Sequence, residues 1–380
     1  MTEHEAFVFL NMIPEMGGIT ARRLVERFGS AAKVPGLGVS QLEGTQGIGR
    51  ERAEWFAKMF AEARAQGKLE AELGRAERLK VELVTWADSA YPKLLMEIPD
   101  PPLALYVRGD AALLARTSVA VVGTRRATVY GMEISRRFGY GLAMAGYCVV
   151  SGLARGIDRE AHEGALQAKG ATTAVIGAAL DKLYPPENEE LARRIVEGGG
   201  LVVSEYPFGR QADRQTFPMR NRIVAGLCKG VVVVESPRKS GTLITAGQAA
   251  EFGRSVMAVP GRVDAPGFEG SHRLIRDGAV LVTCVDEAVE ELEGLFHPRA
   301  ESGRPAETPE TERAVSLSPD EQKIMDALDA SDGGCPVDVI AGACGIPAHK
   351  ITALLVGLEM KRVARVLPGG LVAKSGAPVF

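Results

Sequence analysis

Four short loops in the middle of the chain combine glycine with arginine or with hydroxyl side chains. They are Val-Val-Gly-Thr-Arg-Arg at 121–126, Ser-Gly-Leu-Ala-Arg-Gly-Ile-Asp at 151–158, Phe-Pro-Met-Arg-Asn-Arg at 217–222 and Lys-Ser-Gly-Thr-Leu-Ile-Thr-Ala at 239–246. Glycine turns that open helices expose backbone N–H groups, and arginine adds a planar cation that pairs with phosphate oxygens. The four loops therefore predict a binding site for a phosphate-bearing ligand.

Two common nucleotide motifs are absent from these loops. No G-x-G-x-x-G spacing surrounds Gly123, and the next predicted strand ends in Ser151-Gly152, where an acid that binds ribose would be expected. The loop at 239–246 lacks the Gly-Lys-Ser/Thr ending of an ATPase P-loop, and no other Walker element occurs. We therefore expect no nicotinamide or flavin cofactor, and no nucleotide hydrolysis by the P-loop route.

Asp158 and His162 are the candidate pair for acid–base chemistry. They stand four residues apart on a predicted helix and so share one face. Asp158 is also placed to cap that helix, and the sequence supplies no clear nucleophile. Such a pair more often fixes a loop by hydrogen bonds, so we predict no catalytic residue and no metal site.

Arg220 and Arg222 are expected to have different partners. Their spacing of two residues at a helix start points the side chains to different sides. One arginine can face the ligand while the other pairs internally with a carboxylate at the sheet edge, such as Glu205 or Glu235.

Alternating strands and helices must position these loops. Apolar, β-branched runs predict strands at 118–122, 147–150, 172–176, 201–204, 230–234, 256–259 and 279–283. Helical patterns lie between them, near 130–145, 158–169, 187–198, 220–227, 242–252, 269–277 and 286–293. This alternation predicts an α/β fold with a mostly parallel, doubly wound sheet, which gathers the loops at the carboxyl ends of its strands.

The chain divides into five predicted segments. They are a helical domain at 1–70, a connecting segment at 71–112, the α/β core at 113–296, a flexible linker at 297–318 and a small domain at 319–380. The glycine turn at 47–49 resembles the hairpin of helix-hairpin-helix modules, in which backbone N–H groups face DNA phosphate. Helical patterns and a closing hairpin make the last domain resemble a winged helix. Contact with DNA and contact with protein both stay open for these two end domains.

Composition restricts the environment of the protein. The 380 residues include 45 Lys and Arg against 48 Asp and Glu, so the net charge of −3 gives no global sign of nucleic-acid binding. The five cysteines form no C-x-x-C pair, which favours free thiols in a reducing cytosol. No signal-peptide pattern opens the chain, and no apolar run reaches the ~18 residues of a membrane span. We expect a cytoplasmic protein that does not contact membranes.

The order of these motifs resembles the DNA-processing protein A (DprA, also called Smf) family of bacteria. The motifs that carry the resemblance are Gly-Thr-Arg, Ser-Gly-Leu-Ala-x-Gly-Ile-Asp-x-x-Ala-His, Arg-Asn-Arg and Ser-Gly-Thr-x-x-Thr-Ala, with Tyr184-Pro185 and Ser204-Glu205. It implies a Rossmann-like core flanked by a small helical domain of the SAM or helix-hairpin-helix type and by a winged helix. It also implies a homodimer that binds single-stranded DNA without sequence preference, protects it during natural transformation and loads the RecA recombinase onto it. No cofactor and no reaction are attributed to the family.

The resemblance also implies a set of DNA-binding residues. Those carried over from the motifs are Gly123, Thr124, Arg125, Gly152, Arg220, Asn221, Arg222, Ser240, Gly241 and Thr242. Arg126 joins them from the same basic loop, and Phe217 and Tyr184 are candidates for base contact. The chain departs from the family at 177–181, which reads Gly-Ala-Ala-Leu-Asp, and at Pro186, where relatives often carry a lysine. Arg155 and Lys182 are the candidates to supply that missing charge.

Two other functions compete with DNA binding. Nucleoside-monophosphate phosphoribohydrolases of the LOG type share the sheet and carry a Pro-Gly-Gly-x-Gly-Thr loop followed by a catalytic glutamate. Here the matching stretch at 238–242 lacks the paired glycines, and Glu251 stands further along the helix. A protein-interaction scaffold whose winged helix recruits a partner is the third possibility.

Overall fold

The computed structural model describes residues 1–294, 317–329, 335–347, 350–351, 354–355, 358, 363–367 and 371–374. The chain forms two compact units, Met1–Arg299 and Ala300–Phe380. The expected linker lies almost wholly outside the described residues.

A nine-stranded sheet forms the centre of the first unit. Its strands are β1 (Glu82–Thr85), β2 (Ala104–Gly109), β3 (Ser118–Val122), β4 (Cys148–Ser151), β5 (Thr172–Val175), β6 (Leu201–Ser204), β7 (Gly230–Val233), β8 (Ser255–Ala258) and β9 (Val280–Leu281). They lie side by side in the order β1-β2-β6-β5-β4-β3-β7-β8-β9. The seven strands β6-β5-β4-β3-β7-β8-β9 are all parallel to one another. At the other end of the sheet, β2 pairs antiparallel with both β1 and β6.

The sheet reverses its winding direction between β3 and β7. From β3 the chain adds β4, β5 and β6 on one side, and then returns to place β7 on the other side of β3. Ligands of open α/β sheets bind at such a switch point, outside the carboxyl ends of the strands. The predicted Rossmann-like, doubly wound fold class is confirmed.

Helices cover both faces of this sheet. They are α6 (Lys93–Met96), α7 (Val129–Met144), α8 (Ile157–Gln167), α9 (Glu189–Glu197), α10 (Thr216–Leu227), α11 (Gly241–Glu251), α12 (Glu269–Arg276) and α13 (Val285–Gly294). Side chains alternate along β3, so Val119 and Val121 pack in one apolar cluster while Ala120 and Val122 pack in another. Both faces of β3 are therefore buried, which explains its continuous apolar sequence.

Five further helices form the amino-terminal domain. They are α1 (Glu3–Asn11), α2 (Gly18–Phe28), α3 (Val39–Glu43), α4 (Arg50–Ala65) and α5 (Lys68–Arg78). Thr2 and Glu5 form a capping box at the start of α1, with bonds of 2.7 and 3.2 Å. The domain packs around buried phenylalanines, among them Phe9, Phe56 and Phe60.

Two elements differ from the sequence prediction. The segment 71–112, expected as a connection, contributes β1 and β2 to the core sheet, because its strands pair with the free edge of β6. Helix α10 begins at Thr216 rather than near residue 220. Pro218 lies in its first turn, where a missing N–H leaves no hydrogen bond unmade.

The described elements of the second unit agree with the predicted winged helix, whereas most of the helical pattern predicted at 348–360 lies outside the described residues. The described parts include α14 (Pro319–Asp329), α15 (Val337–Cys344) and a three-stranded sheet of β10 (Cys335–Pro336), β11 (Ala364–Leu367) and β12 (Leu371–Lys374). Ser318 and Glu321 bond reciprocally at the start of α14, as the expected cap requires. In the described part of the chain, no helix is long and apolar enough to cross a membrane.

Candidate nucleic-acid interface

The loops that follow β3, β4 and β7 are bonded and packed against one another. The amide of Thr124 donates to the carbonyl of Glu235 at 2.8 Å. A Cβ on Gly123 would lie 2.4 Å from the side chain of Ile157. Gly156 has φ +72°, and a Cβ there would lie 2.5 Å from the carbonyl oxygen of Thr124. Glycine is therefore required at both positions, and the loops form a closely packed sheet edge.

These loops surround a cavity of about 410 Å³ at the switch point, which we call the loop cavity. Many of the residues selected from the sequence line it: Gly123, Thr124, Arg125, Arg126, Gly152, Phe217, Arg220, Asn221, Ser240, Gly241 and Thr242. Arg155, Lys182 and Arg222 do not line it. The structure thus brings all four loops to one edge, as their order along the chain predicts.

Helix α11 presents its amino terminus to the loop cavity. The Ser240 Oγ accepts a bond from the amide of Thr242 at 3.2 Å and donates to the Thr242 hydroxyl at 3.0 Å. The Asn221 Nδ2 donates to the carbonyl of Gly241 at 3.2 Å, which ties α10 to the same turn. The aligned peptide dipoles of α11 place partial positive charge at this end, and that charge favours a bound anion.

Three cations at the loop cavity have no carboxylate partner within the described ranges. They are Arg125, Arg126 and Lys239, and all three are exposed. The Arg125 guanidinium stacks over the ring of Phe217, with 4.5 Å from its central carbon to the ring centroid. Lys239 is not among the site residues predicted from the sequence. Its position directly before the capping residue Ser240 is the signal that could have identified it.

A smaller cavity of about 250 Å³ adjoins the loop cavity and shares Arg125 and Phe217 with it. Tyr184 also lines this aromatic cavity, with its ring centroid 5.8 Å from that of Phe217 and its plane tilted by 53°. Tyr184 is 44% exposed, so its ring is available to a ligand. Aromatic rings beside cations are the arrangement on which nucleic-acid bases stack.

Arg220 is a buried structural cation in the wall of the loop cavity. Its Nη1 donates to the carbonyl oxygen of Gly152 at 2.5 Å and to that of Val175, which join the ends of β4 and β5. Burial lowers its pKa to about 10, against the attraction of the Asp158 carboxylate, so it stays charged at neutral pH. A Cβ on Gly152 would lie 2.6 Å from the guanidinium nitrogens, so this position also requires glycine.

Asp158 and His162, the candidate acid–base pair, are both buried and bond to other groups. Asp158 accepts a bond from the amide of Gly152 at 3.1 Å, and burial raises its pKa. The His162 Nδ1 lies 2.7 Å from the Thr172 hydroxyl. Burial lowers the pKa of His162 to about 3, so the ring is neutral at physiological pH. This geometry favours a role in fixing the loops over a role in proton transfer.

Arg222 points away from the loop cavity. Its Nη1 and Nη2 donate to the two carboxylate oxygens of Glu205 at 3.0 and 2.6 Å, and its Nε donates to the carbonyl of Asp100 at 2.9 Å. The structure therefore does not bring Arg222 to the expected DNA site, because two residues along a helix rotate a side chain by about 200°. The internal partner is Glu205 and not Glu235, which accepts bonds from Thr128.

Arg155 and Lys182, the candidates for the missing family lysine, lie in different places. Arg155 lines the aromatic cavity and forms an exposed ion pair with Glu187. Lys182 lines a separate depression of about 980 Å³, which we call the acidic groove, together with carboxylates of α9. Arg155 therefore shares a cavity with Phe217, and Lys182 does not.

Glu251 and possible metal ligands bear on the enzyme alternative. Glu251, the counterpart weighed for a catalytic glutamate, is exposed at the last residue of α11 and does not line the loop cavity. No cluster of three or more His, Cys, Asp or Glu side chains that could hold a metal ion occurs among the residues that the structure describes.

Known proteins share both units of the chain. Residues 82–293 match the family model of DNA recombination-mediator protein A, and residues 306–370 match the DprA winged helix domain. The Smf protein of Escherichia coli K12 is 38% identical over 309 residues, which cover 80% of each chain. The crystal structure of DprA from Streptococcus pneumoniae aligns with a TM-score of 0.66 and 34% identity, over 77% of this chain and 98% of that one.

DNA processing protein A from Helicobacter pylori is similar too, and its structure was described for the way in which that protein binds single-stranded DNA. It aligns with a TM-score of 0.51 and 30% identity, over 57% of this chain and 98% of that one. The first family match spans more than half of the chain, and the E. coli relative matches along most of its length. This chain therefore belongs to the DNA recombination-mediator protein A (DprA) family.

Proposed function

We propose that this protein binds single-stranded DNA in the loop cavity and the adjoining aromatic cavity, protects it and loads RecA onto it. The observation that carries the proposal is the junction of the two cavities at Arg125 and Phe217. One side of that junction offers a helix amino terminus and cations that have no carboxylate partner in the part of the chain that the structure describes, and the other side offers aromatic rings. A nucleotide needs both, because its phosphate is anionic and its base is a flat aromatic surface.

The phosphate would lie in the loop cavity. Arg125 and Lys239 can approach it from the rim, because neither is held by a carboxylate within the described residues. The amino-terminal end of α11 adds a partial positive charge that does not depend on pH. Arg220 contributes its charge from the wall, while its Nη1 stays bonded to the backbone. Phosphate contacts of this kind carry no sequence information, so binding should not depend on sequence.

A base would lie in the aromatic cavity. The tilted rings of Tyr184 and Phe217 give it surfaces for stacking, and every base has a face that stacks. In a duplex the bases are already stacked on their neighbours and cannot enter without being unstacked. The aromatic cavity therefore supports a preference for single strands.

The arrangement favours binding over catalysis. The buried histidine is neutral and lies behind the wall, and Glu251 stands at the far end of α11. A helix of eleven residues separates that carboxylate from the cavity by roughly 15 Å. We propose on this ground that the protein is not a phosphoribohydrolase.

The decisive experiment measures the binding of labelled oligothymidine and of a matched duplex by fluorescence anisotropy over a series of salt concentrations. We expect a preference for the single strand, with log Kd changing by about 0.7 per unit of log salt for each phosphate neutralised. Absent or salt-independent binding would contradict the proposal and favour a protein scaffold. Incubation with AMP tests the enzyme alternative, for which free adenine would be the product.

Loading of RecA rests on membership of the DprA family. If the protein loads RecA, small amounts of it should speed RecA filament assembly on single strands that are covered by a single-strand-binding protein. The rate of ATP hydrolysis by RecA measures this assembly. An unchanged rate would refute the loading step and leave DNA binding intact.

We also propose a homodimer through the core domain and a cytoplasmic location. The sheet ends in the two-residue strand β9, whose Leu281 side chain is 47% exposed. An open sheet edge with an exposed apolar side chain is a common pairing surface. Sedimentation equilibrium should show a dimer that Leu281→Arg weakens, and a monomer at all concentrations would refute it.

A further inference from the structure

We propose that Arg222 is a positioning residue for the DNA site: with Glu205 and Asp100 it fixes α10 against the amino-terminal helical domain. This inference rests on the proposed function, because it concerns how tightly the loop cavity holds a single strand. It assigns the second arginine of the Arg-Asn-Arg motif to the junction between two domains instead of to the ligand.

The three charged groups form a buried cluster. The side chains of Arg222 and Glu205 are 10% and 11% exposed, and their oxygen–nitrogen distance is 2.6 Å. The Asp100 carboxylate lies 3.7 Å from the Arg222 Nε and is 30% exposed. Burial acts against the arginine charge, but Glu205 and Asp100 outweigh it and raise the pKa of Arg222. The guanidinium is thus held in one orientation by bonds on several sides.

Both carboxylate residues are also bonded to the amino-terminal domain. The Asn11 Nδ2, at the end of α1, donates to the carbonyl of Glu205 at 2.8 Å. The amide of Ile19, in the first turn of α2, donates to the Asp100 carboxylate at 3.3 Å. A Cβ on Gly18 would lie 2.4 Å from the carbonyl oxygen of Pro101, so the contact is close. Arg222 is therefore joined to two helices of that domain through one intermediate residue each.

The other side of α10 forms the ligand site. Phe217, Arg220 and Asn221 line the loop cavity and stand within five positions of Arg222 on the same helix. Because a helix moves as a rigid element, a shift at Arg222 displaces those three side chains together. Misplacement of a binding group by about 1 Å is enough to weaken a site, so the cluster sets affinity without touching DNA.

A direct contact and a positioning role predict opposite results for Glu205→Gln. If Arg222 bound phosphate, removal of the competing carboxylate charge would free the guanidinium and strengthen binding. If Arg222 positions α10, the same change weakens its anchor and binding becomes weaker. Glu187→Gln is the matched control, because Glu187 pairs with Arg155 at the rim of the aromatic cavity. There, loss of the carboxylate charge should strengthen binding.

The experiment measures the Kd of the full chain for labelled oligothymidine with the wild type, Glu205→Gln, Asp100→Asn and Glu187→Gln. We expect Glu205→Gln to weaken binding by about fivefold, and Asp100→Asn to weaken it by a smaller factor. Glu187→Gln should strengthen binding by about twofold. The slope of log Kd against log salt should stay at the wild-type value in Glu205→Gln, because no phosphate contact is lost. Unchanged or tighter binding by Glu205→Gln would overturn the inference.

Hydrogen exchange separates positioning from a loss of general stability. In the wild type, bound oligothymidine should slow amide exchange in α1 and α2, which are remote from the DNA. The reason is that DNA binding restricts the motion of α10, and the Arg222 cluster joins α10 to these two helices. Asp100→Asn retains the inner ion pair and serves where Glu205→Gln does not fold. An equal slowing in the wild type and in the folded variant would overturn the inference. Failure of the wild type to bind the strand at all would instead overturn the proposed function.

Discussion

The loop cavity and the acidic groove both contain arginine and lysine, but four cations and one carboxylate line the cavity, whereas three cations and five carboxylates line the groove. In the loop cavity, Arg125 and Lys239 have no carboxylate partner among the described residues. In the groove, Arg193 binds Glu190 and Glu197 at 2.5 Å each. The groove has more than twice the volume, about 980 against 410 Å³. The excess of cations over carboxylates, and not size, therefore distinguishes the candidate site.

The two regions also perturb their ionisable groups in different ways. Burial governs the wall of the loop cavity, where it lowers the pKa of Arg220 and of His162. Ion pairs govern the groove, where hydrogen bonds from Arg193 and Arg155 lower the pKa values of Glu190 and Glu187. The wall is thus a fixed structure under an exposed set of cations, whereas the groove is a solvated helix surface.

The strongest test of this difference replaces one arginine in each region by alanine and compares the effects on DNA binding. Arg125→Ala should weaken single-strand binding by about 2–3 kcal/mol, roughly 30- to 150-fold, because it removes both a charge-assisted contact and the cation over Phe217. The slope of log Kd against log salt should fall by about 0.7. Arg193→Ala, measured by the same anisotropy titration, should leave both quantities unchanged. Equal losses in the two variants would mean that the groove takes part in binding.

The next largest effect is expected for the replacement of a glycine in the wall of the loop cavity, which should lower folding stability. Gly152→Ala places a Cβ within 2.6 Å of Arg220 and of the Asp158 carboxylate. We expect the free energy of unfolding to fall by about 2 kcal/mol through overpacking, as measured by urea denaturation. Gly247→Ala, in α11, is the control, because nothing lies within 4 Å of its added Cβ. It should stabilise the chain by about 0.5 kcal/mol. A tolerated Gly152→Ala would show that the wall can relax.

Tyr184 tests the aromatic part of the site. Tyr184→Ala should weaken binding of oligothymidine by about 1.5 kcal/mol, roughly tenfold, if a base stacks on the ring. Tyr140→Ala is a matched control, since Tyr140 is 41% exposed on α7 and lines neither cavity. Binding of an abasic strand should not respond to Tyr184→Ala. A loss of affinity for that strand would assign Tyr184 to the phosphate backbone.

Much of the sheet and of the loop cavity could be predicted from the sequence. Buried parallel strands require apolar runs such as 118–122 and 230–234, and parallel connections place the following loops at one edge. Given that order, the meeting of Gly123 with Ser240 follows from the switch point between β3 and β7. The local sequence pattern and the sheet topology agree here, so this part of the site could be predicted from the sequence.

The individual roles of the arginines depended on information that the sequence lacks. Arg220 and Arg222 lie on different sides of α10, but only the helix start at Thr216 and the position of Glu205 decide which side faces the cavity. Lys182 follows a motif residue in sequence, yet it lies in the groove. Lys239 was passed over although it lines the cavity. Partner choice by long side chains is a tertiary property, which short-range patterns do not encode.

The smallest expected effect is the loss of folding stability in acid that comes from protonation of His162, which is neutral and buried behind the cavity wall. Its pKa of about 3 in the folded protein lies below the ordinary value of 6.5. The unfolded chain therefore binds more protons at this residue between those two values, and protonation favours unfolding. The contribution of His162 to stability is complete above pH 6.5 and is lost as the pH falls from 6.5 toward 3. The slope is about 1 kcal/mol per pH unit.

His162→Gln isolates this term, because glutamine is neutral at every pH. We expect the variant to lose less stability than the wild type between pH 6.5 and pH 4.5 in urea denaturation. The buried Asp158, whose raised pKa acts in the opposite direction, is present in both proteins and cancels in the comparison. Parallel pH profiles for His162→Gln and the wild type would mean that the wall admits water, and the contrast between a buried wall and a solvated groove would fail.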